Sequence, residues 1–138
     1  MLAENSSAGI GLIAPNGRFI AAESDDGLRQ DSLPYLFHSL KIFDLVTERA
    51  WVLQLGILAS NHAWSRDGRF IYFESWHNPP GVFRIPLKSG EPELVVDLKD
   101  FHPWGTVFIW MGVDPTDKPL MLRYTGSDDI YALTLEEK

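Results

Sequence analysis

The sequence predicts an all-β protein made of four-stranded antiparallel units in one domain, residues 1–138. Two observations carry this. The 11 glycines and 9 prolines are scattered at short intervals, so no long stretch keeps apolar residues at helical spacing without a breaker intervening. The segments left between them are rich in Ile, Val, Leu and aromatic residues, and most are about five to six residues long, the usual length of a strand.

Strands are expected over residues 11–14, 19–23, 40–45, 50–55, 70–75, 82–87, 94–98, 106–113, 120–124 and 130–135. Pro15-Asn16-Gly17-Arg18 closes the first pair. Arg66-Asp67-Gly68-Arg69 precedes the strand at 70–75, Lys88-Ser89-Gly90-Glu91 joins 82–87 to 94–98, and Thr125-Gly126-Ser127-Asp128 joins the last two. Asn-Gly and Asp-Gly supply the positive φ that tight hairpins require.

These hairpins repeat. Ala14-Pro15-Asn16-Gly17-Arg18-Phe19-Ile20 recurs 51 residues on, from position 14 to position 65, as Ser65-Arg66-Asp67-Gly68-Arg69-Phe70-Ile71. A looser third copy, Asp114-Pro115-Thr116-Asp117-Lys118-Pro119-Leu120, has lost the glycine. A second strand pair follows each hairpin, opening on Leu40-Lys41-Ile42-Phe43, Val82-Phe83-Arg84-Ile85 and Ile130-Tyr131-Ala132-Leu133. The units run over approximately residues 9–56, 60–98 and 105–135, and the third has three strands rather than four. Four antiparallel strands at a period of roughly 40–50 residues are the signature of β-propeller blades.

At these residues the chain resembles the TolB-like propellers, relatives of the WD-repeat and dipeptidyl-peptidase-type propellers. Their blades carry a Trp-Ser-Pro-Asp-Gly-Lys/Arg hairpin followed by an aromatic strand, and Ala63-Trp64-Ser65-Arg66-Asp67-Gly68-Arg69-Phe70-Ile71-Tyr72-Phe73 is a close match. Gly81 through Glu93, with its Ser-Gly turn, is similar to the second half of such a blade. Arg66 stands where the family has Pro, and Asn16 where it has Asp. The segment from Asp114-Pro115 to Leu133 is similar to the last blade of bacterial propellers that terminate sensor regulators or kinases. The resemblance therefore implies a noncatalytic binding or scaffold domain for protein–protein interaction or ligand sensing. Two alternatives stand beside it: a hydrolase or lyase of the six-bladed type with a site at the channel, and the C-terminal fragment of a longer sensor regulator.

Six blades would need roughly three hundred residues, and this chain supplies about three units. An open array exposes apolar faces and unpaired edges. A homodimer is expected, a two-chain ring of six blades in which residues 1–8 of one copy complete the last blade of the other.

Composition narrows the partners. Twelve Lys plus Arg against 19 Asp plus Glu leave a net charge of -7, which argues against nucleic acid, because phosphate binding needs clustered positive charge. The absence of cysteine excludes a disulfide scaffold, a thiolate nucleophile and Cys-based metal sites. There is no basic-then-apolar leader and no apolar run of the roughly 18 residues a membrane span needs. A soluble chain is expected, cytoplasmic by default or periplasmic as part of a longer TolB-like protein.

In a blade, the tight turns lie on one rim and the other connectors on the opposite rim. The longer connectors, residues 24–39, 56–62, 75–81 and 98–105, hold His38, His62, Trp76, His77, Asn78, His102 and Trp104. That rim is the candidate binding face. Trp76-His77-Asn78-Pro79-Pro80 and Phe101-His102-Pro103-Trp104 could present an aromatic, proline-stiffened surface to a peptide or sugar. Packing of the Trp residues against a neighbouring blade is the stronger reading, since aromatics mainly supply buried area. No short His-x-His spacing points to a metal, and no cofactor is expected. There is no Gly-x-Ser-x-Gly elbow, no phosphate loop and no His-Glu-x-x-His pair, so no catalytic residue is assigned. Asn16 and Asp67 read as turn formers, and Asp25-Asp26 and Asp128-Asp129 as solvated rather than calcium-binding. Arg18, Arg69 and Arg84 are expected to pair with acidic groups on adjacent strands.

Overall fold

A computed structural model describes residues 9–24, 36–77, 79–88, 90–101, 111–121 and 126. Its described residues form antiparallel sheets and no helix. The first sheet contains β1 (Gly11–Ile13), β2 (Phe19–Ser24), β3 (Phe37–Asp44) and β4 (Arg49–Ala59) in that order. The second contains β5 (Asn61–Trp64), β6 (Phe70–Ser75), β7 (Gly81–Pro86) and β8 (Glu93–Asp97). A hairpin follows, of β9 (Met111–Val113) and β10 (Pro119–Met121).

The three repeated turns explain the three hairpins. Gly17 and Gly68 sit at φ of 70° and 69°, and Asp117, standing where the third copy has no glycine, sits at 63°. Asp is among the few residues that tolerate this left-handed region. The amides at these positions donate to the carbonyls of Ala14, Ser65 and Asp114, at 2.8, 3.0 and 3.0 Å. The third turn is one residue shorter, since Ile13 pairs with Ile20 and Trp64 with Ile71, but Val113 pairs with Pro119. Asn16 and Asp67 form their turns as expected, each side-chain oxygen accepting from the backbone N–H two residues on at 3.0 Å.

Alternation along the strands sends two sets of side chains to opposite faces. Phe19, Ala21, Leu40, Ile42 and Leu53 of the first sheet share one core with Trp64, Ile71, Phe73 and Ile85 of the second. Phe73 and Phe83 stack at 5.6 Å between ring centres. On its other face the second sheet presents Ala63, Tyr72 and Val82 to Met111 and Leu98. β5, β6 and β7 of the second sheet are therefore covered on both sides, while every residue of β8 is exposed, and full burial of each large apolar side chain contributes about 1.5–3 kcal/mol. β5 touches β1 on one side and β9 on the other. Polar contacts fix this stacking: Trp64 Nε1 donates to Leu12 O at 2.9 Å, Trp51 Nε1 to Leu87 O at 3.3 Å, and the Arg66 amide to Asp117 Oδ1 at 2.7 Å.

Most expected strands recur within a residue or two, with three differences. β3 begins at Phe37, three residues before the expected start at 40, and β4 runs on to Ala59. The connector expected over 56–62 is strand instead, Ser60 alone separating β4 from β5, and β5 itself is not among the expected strands. Gly56 had the look of a breaker; at φ of 65° it allows a bulge, marked by the register shift between Phe37 and Ser39, and the pairing resumes at Phe37 with Ala59. Residues 1–8, 106–110, 122–124 and 130–135 of the expected strands lie outside the described residues.

Candidate binding site

Opposite the tight turns, the ends of β2 and β6 and the start of β5 bring polar side chains together. Glu23-Ser24 closes β2 and Glu74-Ser75 closes β6, at the same repeat position. His62, on β5, is buried between the sheets. Its Nε2 is 3.1 Å from Ala21 O, its Nδ1 is 3.4 Å from Glu23 Oε1 without completing a hydrogen bond, and its ring meets Phe37 edge-on at 5.8 Å. Glu23 in turn accepts from the Ile10 amide at 3.2 Å through Oε2.

Glu74 is 0% exposed. Its Oε1 accepts from Ser60 Oγ at 3.0 Å and also from Asn61 Nδ2, the residue directly opposite on β5. Oε2 and the nearby Trp76 Nε1 are buried, and neither completes a hydrogen bond among the described residues. Burial pushes the Glu74 carboxyl above its ordinary value, opposed by Asn61, Ser60 and the Trp76 indole.

The structure separates the candidate residues named from sequence. His62 is in the core rather than on a rim connector, because it lies within β5 and its face of the strand points at the first sheet. Trp76 packs against the second core cluster, 6.2 Å from the ring centre of Phe101. His77 is exposed, its amide donating to Ser75 Oγ at 3.3 Å, and His38 is half-buried on β3. Asn78, His102 and Trp104 lie outside the described residues, as do Asp25, Asp26, Asp128 and Asp129. Phe101 also lines an open depression of about 450 Å3 with Asp97, Lys99 and Asp100. Among the described residues no three His, Asp or Glu side chains converge as a metal would require.

Glu23, Ser60, Asn61 and Glu74 were not singled out from sequence. The signal was the Glu-Ser pair recurring 51 residues on, from position 23 to position 74.

At the turn end the charged groups are structural. Arg18 grips Asp44 with two hydrogen bonds, Nε to Oδ1 at 3.1 Å and Nη2 to Oδ2 at 2.7 Å, and holds that carboxyl well below the usual range. Arg84 reaches Glu93 on the neighbouring β8 at 2.8 Å, as expected. Arg69 does not reach an adjacent strand: it bonds Asp67 within its own turn at 2.8 Å, because the tight turn folds the two side chains back on each other.

Compared with known proteins, the sequence matches no family model and no curated protein.

Proposed function

We propose that the chain is a noncatalytic binding or scaffold domain built of β-propeller blades, and that the end bearing Trp76 and His77 receives a protein or peptide partner. The observation that carries this is the stacking of successive sheets along β1, β5 and β9, each strand leading into a turn with a left-handed residue at the repeat position. Blades of a propeller are arranged in this way, and the Trp64 to Phe73 hairpin resembles the TolB-like one. The function follows by analogy with that fold. At this end of the stack His62 Nε2 lies 3.1 Å from Ala21 O of the neighbouring sheet and Glu74 bonds Ser60 and Asn61, and packed scaffolds display binding residues on their connectors. A phage library of random peptides selected against the immobilised chain tests the reading. Selected peptides are expected to perturb the amides of His77 and its neighbours in nuclear magnetic resonance spectra. Peptides that perturb only the turn end, or a library that yields no binder, overturn it.

Glu74 bears on a second, enzymatic reading: burial raises its carboxyl, as general acid catalysis asks, but the side chain is 0% exposed and does not meet solvent. Turnover in a panel of ester, lactone and glycoside reporters, lost in Glu74→Gln and kept in Asp67→Asn, would establish it. Turnover unaffected by Glu74→Gln would dismiss it.

A further inference from the structure

We infer that the outer face of the first sheet is a docking surface for the β9–β10 hairpin of a second copy of this chain. The inference rests on reading the sheets as successive blades, and it names the surfaces through which they continue. Ile13, Ile20, Phe43 and Ala50 lie directly opposite one another across all four strands of the first sheet. They alternate with the core residues and so point away from the second sheet. Ile13 is 63% exposed, and Val52, on the same face, 40%. A row of apolar side chains across a sheet, exposed at Ile13 and Ala50 and half-buried at Ile20 and Phe43, marks an interaction surface.

The chain itself shows what such a face receives. By the repeat, Ile13 corresponds to Trp64 and Ile20 to Ile71, and the register then places Phe43 with Ile85. In the second sheet those three residues are buried against the first. The first sheet thus carries the same kind of face with no sheet on it among the described residues. Lys41 stands where the second sheet has Phe83, and its ammonium lies 5.5 Å from the Phe43 ring centre, so that its stem extends the apolar row.

The complementary surface is at the other end of the same chain. Three paired positions are equivalent: Leu12 with Ala21, Ala63 with Tyr72, and Gly112 with Leu120. The first pair packs on the following sheet and the second pair on the β9–β10 hairpin. Leu120 is 44% exposed. One chain therefore holds both halves of one further contact, which a second copy satisfies head to tail. Two copies close into a ring if the rotation permits, with both contacts made.

The test is absolute mass by light scattering after size exclusion, with variants Ile13→Asp and Leu120→Asp. Both positions are exposed, so neither substitution disturbs a core. Wild-type chain is expected at 31.2 kDa, twice the 15.6 kDa monomer, or in higher multiples if the ring does not close. Each variant alone is expected at 15.6 kDa. An equimolar mixture of the two is expected to regain a dimer, because one contact then joins two unaltered faces. A wild-type monomer, assembly indifferent to both substitutions, or a mixture that stays monomeric overturns the inference. Peptide binding by a monomer would leave the proposed binding function standing while refuting this contact, so the two failures are distinguishable.

Discussion

Glu23 and Glu74 occupy the same position in successive sheets, yet Glu23 approaches His62 Nδ1 at 3.4 Å while Glu74 is wholly buried with Ser60 and Asn61. The difference comes from what each faces. The element following Glu23 offers a histidine, whereas the position equivalent to His62 in the third unit is Met111, which offers no hydrogen-bond donor.

Glu74 should make stability depend on pH. Its folded pKa lies above the ordinary 4.5, so the folded form holds the proton more tightly than the unfolded chain. Its contribution is then fully present below about pH 4.5 and declines as pH rises through the folded value. Glu74→Gln cannot ionise, and its stability relative to wild type should rise as pH increases above 4.5. Urea unfolding of both proteins at several pH values checks this, and parallel curves would refute it.

Asp67 works in the opposite direction. The Arg69 amide, the Ser65 hydroxyl and the Arg69 guanidinium bring its pKa down to about 2 from 3.8. The stabilisation is present above 3.8 and is lost as pH falls through about 2. Asp67→Asn should flatten the acid limb of the stability curve, as followed by circular dichroism.

Trp64 ties the two four-stranded sheets together through its bond to Leu12 O and its stacking on Phe19, at 6.5 Å between ring centres. Trp64→Phe removes the indole's hydrogen bond to that carbonyl and should cost about 1–2 kcal/mol. Trp64→Ala adds a cavity and should cost about 3–5 kcal/mol. Denaturant midpoints of the two variants would rank them, and equal losses would argue against the hydrogen bond.

The turn position also distinguishes residue types. Gly68→Ala forces a Cβ into the left-handed region at φ of 69° and should cost about 1–2 kcal/mol. Asp117→Asn tolerates that region and retains an acceptor for the Arg66 amide, so it should change stability by less than about 0.5 kcal/mol. Asp117→Ala loses both and should be the less stable of the two in thermal melts.

Much of the strand pattern was legible because strands of this kind declare themselves locally. The Asn-Gly and Asp-Gly turns and the apolar stretches beside them need no distant partner to be recognised, and β6 was expected over the residues it occupies, Phe70–Ser75. Gly56 misled for the same local reason. A glycine reads as a break until a partner strand is there to pair beyond it, as Phe37 pairs with Ala59.

The candidate site was less legible. His62 and Trp76 were recognised by residue type, but their burial depends on which way each strand faces a neighbouring sheet, and that is decided by packing across more than forty residues, as between His62 and Ala21. The buried state of Glu74 likewise depends on Ser60 and Asn61 arriving from β5.

By itself, the sequence determined the all-β class, the turn positions and the repeat, since backbone conformation at Gly17, Gly68 and the apolar stretches is a local preference. Only the tertiary structure decided which faces are covered, which carboxylates are shielded from water and that Asp117 takes over the missing glycine's conformation. Those outcomes depend on contacts between sheets far apart in sequence, and desolvation is a property of the assembled packing rather than of any one segment.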